Sequence, residues 1–179
     1  MKIILASSSP RRIELMRTLV SDFEIKIPQG EEVLNQTQNA EENTQRLATQ
    51  KAREVFEEGS LTLGFDTLGE IDGVPFGKPK DKQAAIELLK KLSGKTHSVV
   101  SSFCAKTDDT EKIGSEIARV TFRNLSNAEI ENYVANNPVE NFAGAYAIQS
   151  AAKKFVEKIE GDIEVVIGFP LKSIRKIIP

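Results

Sequence analysis

The sequence predicts an α/β fold built on a mixed β-sheet. Short apolar runs of strand type alternate with helical segments of 3.6-residue period along the first half of the chain. Two long strand patterns then flank Thr107-Asp108-Asp109, so an antiparallel hairpin intervenes. At 179 residues, with 40% hydrophobic and 28% charged residues, the composition is that of an ordinary globular chain. One domain over residues 1–179, at most divided into two lobes, is expected.

The elements follow in order. Ile3, Ile4 and Leu5 form a short buried strand. Ser9 is placed to cap a helix that begins at Pro10, a residue suited to the first helical position. Leu15, Met16, Leu19 and Val20 give that helix one apolar face. Phe23, Ile25 and Ile27 alternate as a second strand. Residues 28–40 read as a polar loop ending in an Asn39 cap. A helix is expected from Glu41 to Glu58, stopped by Gly59. Leu61 to Phe65 reads as a strand with Asp66-Thr67 at its C-terminal end. Asp72-Gly73 is a hairpin turn signal. Ala85, Leu88, Leu89 and Leu92 mark the next helix. Thr96–Ala105 and Lys112–Phe122 are the hairpin strands. Ser126 and Glu129 form a capping box for a helix broken at Asn136-Asn137-Pro138. Lys154 to Ile159 is the last strand, and Pro170 opens a final short helix.

Charge and rare residues exclude several functions. With 24 basic and 26 acidic side chains the formal net charge is −2, so strong nucleic-acid binding is not expected. A single Cys, Cys104, permits no internal disulfide. With only one His as well, His97, a four-ligand zinc site and a Cys–His protease are disfavoured. His97 reads first as a hydrogen-bonded structural residue, and Cys104 as a small core residue. No apolar run approaches ~20 residues, and the N-terminal run is too short for a signal peptide. The expectation is a soluble, cytoplasmic protein without a membrane span. Its chemistry must rest on carboxylates, Lys, Arg, Ser or Thr.

Two groups of such residues stand out. Ser7-Ser8-Ser9-Pro10-Arg11-Arg12 joins a strand to a helix N-terminus, where free N–H groups, hydroxyls and two guanidinium groups suit phosphate. Taken alone, an ordinary helix start with two solvated arginines is the simpler reading. Asp66, after a buried strand, joins Glu31, Glu32, Lys51 and Lys78 from other segments. Carboxylates without His or Cys are hard oxygen ligands, suited to Mg²⁺ or Mn²⁺ held partly by water and phosphate. For Glu31 and Glu32 alone, surface charge is the simpler reading. Gly73-Val74-Pro75-Phe76-Gly77-Lys78-Pro79 is not a P-loop, because the glycine spacing is short and Pro follows the Lys.

Together these segments resemble the Maf family of nucleoside triphosphate pyrophosphatases over nearly the full length. The resemblance is carried by Leu5-Ala6-Ser7-Ser8-Ser9-Pro10-Arg11-Arg12, Arg46-Leu47-Ala48, Lys51-Ala52, Asp66-Thr67, Gly77-Lys78-Pro79, Leu92-Ser93-Gly94 with His97, Ala143-Gly144-Ala145-Tyr146, Ile148-Gln149 and Ile159-Glu160-Gly161-Asp162. It implies an elongated two-lobed domain, with a central mixed sheet flanked by helices and a cleft between the lobes. It implies hydrolysis of a nucleoside triphosphate to monophosphate and pyrophosphate with Mg²⁺ or Mn²⁺. Ser7, Ser9, Arg11 and Arg12 are implied to bind phosphate. Glu32, Lys51, Asp66, Lys78 and Gln149 are implied to form the catalytic centre, with Asp66 and Glu32 holding metal. Arg11, Thr67 and Ile148-Gln149 look like the branch acting on dTTP and UTP, which makes Thr67 and Gln149 specificity candidates. A homodimer is also implied. Phe65, Leu68-Gly69 and Asn141-Phe142 depart from the family pattern and bear on cleft shape and rate. The alternative function is a non-catalytic regulator of cell division that binds nucleotide or nucleic acid.

Overall fold

A computed structural model describes residues 1–178. Its frame is a seven-stranded mixed sheet. β1 (Lys2–Ala6) lies between β2 (Glu24–Lys26) and β3 (Ser60–Ile71) and is parallel to both. The short β4 (Val74–Phe76) returns antiparallel on β3. The turn between them places Asp72 and Gly73 at φ 52° and 74°, the left-handed pair that an Asp-Gly hairpin turn supplies. β3 also pairs antiparallel with β5 (Thr96–Lys106), β5 with β6 (Glu111–Phe122), and β6 with β7 (Val156–Glu160).

Side-chain alternation along β3 divides the helices between two faces. α1 (Pro10–Arg17) follows β1, and α2 (Ala40–Glu54) precedes β3. The even-numbered residues of β3 face α2, where Ala48 and Ala52 pack with Cys104, and Ala40 packs with Leu68 and Val100. The odd-numbered residues feed two separate apolar cores. One joins Leu61, Leu63 and Phe65 to Met16 of α1 and to Ile174 of α6 (Leu171–Arg175). The other joins Ile71, Val99 and Phe122 to Leu89 of α3 (Lys82–Leu92) and Tyr133 of α4 (Asn127–Asn136). These cores occupy opposite ends of the β3–β5–β6 ribbon. Two lobes with a cleft between them result, as the family resemblance implies.

One departure decides where the site lies. The sequence places Asp66 at the end of a strand that stops at Phe65, but β3 continues to Ile71. The reason is non-local: β5 pairs with β3 from Thr62 to Glu70, so the ladder does not need β1 to continue. β1 reaches only to Ala6, opposite Gly64, and β4 resumes the outer edge at Gly69. Residues 65–68 therefore have a strand on one side only. This gap in the sheet sets Asp66 and Thr67 on a free edge.

Other differences are local. β2 has three residues at the edge of the sheet, and Ile25 and Ile27 are exposed. α2 stops at Glu54 rather than Glu58, as the chain leaves the helix at Val55 to enter β3. Its start is as expected: Asn39 Oδ1 accepts from Glu42 N–H and Glu42 Oε2 accepts from Asn39 N–H, at 2.9 and 3.0 Å. Ser9 stands at the N-cap position of α1 without capping through its hydroxyl; its own N–H donates to Ser7 Oγ instead. Residues 151–155 form a 3₁₀ turn before β7, which begins at Val156 rather than Lys154. α5 (Ile163–Ile167), too short to show a period, was not expected.

Candidate active site

The gap in the sheet opens into a cleft of about 770 Å³ lined from both lobes. Its walls include the Ser7–Arg12 segment, Glu32, Lys51, Asp66, Thr67, Lys78, Phe142, Tyr146 and Gly168. The volume is in the range of small-molecule sites. The structure thus brings together Ser7, Ser9, Arg11, Arg12, Glu32, Lys51, Asp66, Thr67 and Lys78. Gln149 is exposed and is not among the residues that line the cleft.

Asp66 is the centre of the arrangement. It is 5% exposed, and its Oδ1 accepts from Lys51 Nζ at 2.6 Å. Lys51 projects from α2, where the Gly64 backbone lets Ala48 and Ala52 lie directly against β3. That close approach brings α2 within reach of the free edge. Lys51 Nζ also lies 3.0 Å from Glu32 Oε2, so one ammonium bridges two carboxylates. Glu32 is half exposed at the mouth, its side chain 52% accessible. Asp66 Oδ2 is buried and without a partner among the described residues. Burial raises the Asp66 carboxyl above the ordinary carboxylate range, while Lys51 and Arg12 pull it back. A carboxylate with one anchored oxygen and one bare, buried oxygen is suited to accept a proton or to hold a hard cation.

The two arginines have different tasks. Arg12 spends its guanidinium on the protein: Nε donates to Gly168 O at 2.8 Å, Nη1 to Phe65 O at 3.2 Å, and Nη2 to Thr67 Oγ1 at 3.1 Å. It therefore grips the residues on either side of Asp66. Thr67 Oγ1 also bonds Ser101 Oγ, whose hydroxyl reaches Val165 O of α5. Arg11 makes no hydrogen bond or ion pair among the described residues; its guanidinium lies 5.3 Å from the centre of the Phe142 ring. Burial lowers its pKa, which leaves it charged all the same. Lys78 is exposed at the opposite wall, also without an ion pair among the described residues. The first bond within α1 is Ile13 N–H to Ser9 O, so the N–H groups of Arg11 and Arg12 precede the helical ladder.

Two free cations, a helix N-terminus and the Ser7 and Ser9 hydroxyls thus face a buried carboxylate across one cleft. Such an arrangement is suited to an anion on one wall and to proton transfer on the other. The fit to a divalent cation rests on the Asp66 and Glu32 carboxylates, which Lys51 bridges, both oxygen donors. No group of three or more His, Cys, Asp or Glu suited to a metal occurs among the described residues. Two carboxylates completed by phosphate and water match the few protein contacts of Mg²⁺ or Mn²⁺. Sequence reasoning singled out Phe142 for its bearing on cleft shape but missed its place against Arg11, and it missed the Gly168 and Ser101 contacts. Gly64 carried a readable signal, since a glycine inside a strand marks close backbone approach.

The chain is similar to known proteins along nearly its whole length. The family model described as Maf-like protein matches residues 2–179. A dTTP/UTP pyrophosphatase of Thermotoga maritima is 43% identical over 175 residues, 96% of this chain and 85% of that protein. One of Bacillus velezensis is 38% identical over 179 residues, 98% and 95% of the two chains. One of Thermococcus gammatolerans is 40% identical over 176 residues, 98% and 94%. Among solved structures, the Staphylococcus aureus Ham1 protein aligns with TM-score 0.49 and 19% identity over 68% of this chain and 72% of its own. No helix among the described residues is long and apolar enough to cross a membrane. With the family pattern matched from Lys2 to the last residue, the chain belongs to the Maf-like protein family.

Proposed function

We propose that this chain hydrolyses pyrimidine nucleoside triphosphates, dTTP and UTP, to the monophosphate and pyrophosphate. The observation that carries the reading is the buried Asp66 with its bare Oδ2, placed at the free edge of β3 opposite Arg11 and Lys78. The names of the relatives point to the same substrates. Ser7, Ser9, Arg11, Lys78 and the start of α1 bind the phosphates. Arg12 lends charge at short range while its donors hold Phe65 and Thr67 in place. Of the two specificity candidates carried by the family pattern, Thr67 lines the cleft and Gln149 lies outside it.

In this reading Asp66 Oδ2 takes a proton from a water that attacks the α-phosphorus. The α–β bridging bond breaks, and pyrophosphate leaves with that bond's electron pair. Lys78 offsets the charge that grows on the leaving group, and Lys51 favours the ionised form of Asp66 and fixes its place. Such transfers depend chiefly on positioning and on electrostatic stabilisation. Asp66 and Glu32 would hold Mg²⁺ or Mn²⁺, which supplies Lewis-acid polarisation of the phosphate oxygens. The setting is that of a cytoplasmic, house-cleaning enzyme of nucleotide pools.

Incubation with a panel of triphosphates and Mg²⁺, with products identified by mass, tests the reading. Monophosphate and pyrophosphate from dTTP and UTP, lost with a chelator, are expected. Unchanged triphosphate would indicate the non-catalytic binder, and release of inorganic phosphate a γ-phosphatase. Arg11→Ala should raise KM for dTTP about 10- to 100-fold, the value of one or two charge-assisted hydrogen bonds. Steady-state kinetics check this, with kcat changing less than KM. Lys51→Met removes the cation that favours ionised Asp66. The acid limb of the pH–rate profile should therefore move to higher pH, because a protonated Asp66 cannot accept a proton. An unmoved limb in a folded Lys51→Met variant would contradict the assignment of Asp66 as base.

A further inference from the structure

Behind the cleft wall lies a buried polar pair that the proposed chemistry does not use. His97 is 2% exposed, and its Nε2 lies 2.7 Å from the hydroxyl of Tyr146, a cleft residue. His97 Nδ1 has no partner among the described residues. The rings of Phe76, Phe122 and Tyr146 surround the imidazole, that of Phe122 edge-on at 5.1 Å. An apolar ring would fill this site without leaving a bare nitrogen, so the His–Tyr bond needs a reason.

The reason lies in the segment that Tyr146 ends. Gly144 and Ala145 both take positive φ, 76° and 63°. For alanine that conformation is unfavourable and persists only where its surroundings hold it. Tyr146 is the anchor on one side. On the other side the turn carries two contacts to the cleft. Gly144 N–H donates to Gly77 O at 3.0 Å, one residue from Lys78. Phe142 supplies the ring on which Arg11 rests. Arg11 has no hydrogen bond of its own among the described residues, so that ring sets its place. His97 thus reaches the phosphate-binding wall through Tyr146, the strained turn and Phe142. Burial holds His97 down at about 4, so the ring is neutral at physiological pH and the bond to Tyr146 is uncharged.

We propose that His97 is a positioning residue for substrate phosphate binding: its hydrogen bond to Tyr146 fixes the 142–146 turn and thereby the placement of Arg11. The inference rests on the nucleotide-binding reading of the cleft, and binding rather than turnover tests it. The probe is α,β-imido-dUTP, which resists cleavage at the α–β bond, measured by titration calorimetry. A double-mutant cycle combines His97→Phe with Arg11→Ala. His97→Phe should weaken binding about five- to tenfold in the wild-type background and less than about twofold when Arg11 is absent. His97→Gln, which restores a polar partner for the hydroxyl, should recover most of the loss. An equal loss in both backgrounds, or no loss, overturns the proposal, since a merely structural histidine has no reason to act through Arg11. Circular dichroism confirms that the variants are folded; if His97→Phe is not, Tyr146→Phe takes its place in the same cycle with the same two outcomes. Wild-type protein that binds the analogue but leaves dTTP and UTP intact would remove the hydrolase reading and leave this inference standing. Wild-type protein that does not bind the analogue overturns both.

Discussion

Asp66→Asn should lower pyrophosphate release from dTTP about 1000-fold while α,β-imido-dUTP binds within about threefold of wild type. The amide keeps the shape of the side chain and still offers an oxygen to Lys51, which retains Glu32 at 3.0 Å. What it loses is the bare anionic oxygen, Oδ2, that accepts the proton. General-base catalysis contributes about 10²- to 10⁴-fold, which sets the size of the effect. Single-turnover kinetics with radiolabelled dTTP measure it. Turnover near the wild-type rate would show that another group activates the water, and Glu32 at the mouth would be next to test.

Gly64→Ala should be the most damaging substitution outside the ionisable residues. A Cβ at this position would lie 2.2 Å from Ala48 O and 2.7 Å from Ala52 N, both backbone atoms of α2. Neither can turn aside, so the helix must move off the sheet. Overpacking of this kind costs about 3 kcal/mol, and a chain of this size then melts roughly 6–12 °C lower. The functional effect is separate. Lys51 rides on the displaced helix and loses its 2.6 Å contact with Asp66, which leaves a buried carboxylate without its cation. Thermal unfolding and kcat measured together check both claims. A full-rate variant with an unchanged melting point would contradict the role given to the α2–β3 contact.

The readable parts of this fold are the parts with local causes. Ser9-Pro10 marks the start of α1, Asn39 with Glu42 the start of α2, and Ser126 with Glu129 the start of α4; in each, the residues that act lie within a few positions. The Asp72-Gly73 turn is local in the same way. The sheet gap is not. It exists because β1 ends opposite Gly64 and β4 begins opposite Gly69, while β5 carries β3 across the interval. No pattern within residues 60–71 records where β1, paired from 58 positions earlier in the chain, stops. That is why Asp66 reads as the end of a strand when it lies in the middle of one. The residue types of the site were legible because triphosphate chemistry needs cations and a carboxylate, and the family pattern locates them. Their division of labour was not. Arg11 and Arg12 are adjacent and chemically identical, yet Arg12 is held by Gly168, Phe65 and Thr67 while Arg11 lies free over Phe142. Only the fold separates them.

The central claim is that water, activated by Asp66, attacks the α-phosphorus. Hydrolysis of dTTP in ¹⁸O-labelled water, with both products weighed by mass spectrometry, tests it most directly. One heavy oxygen is expected in the monophosphate and none in the pyrophosphate. Label in the pyrophosphate, or in released inorganic phosphate, would place the attack at another phosphorus and contradict it.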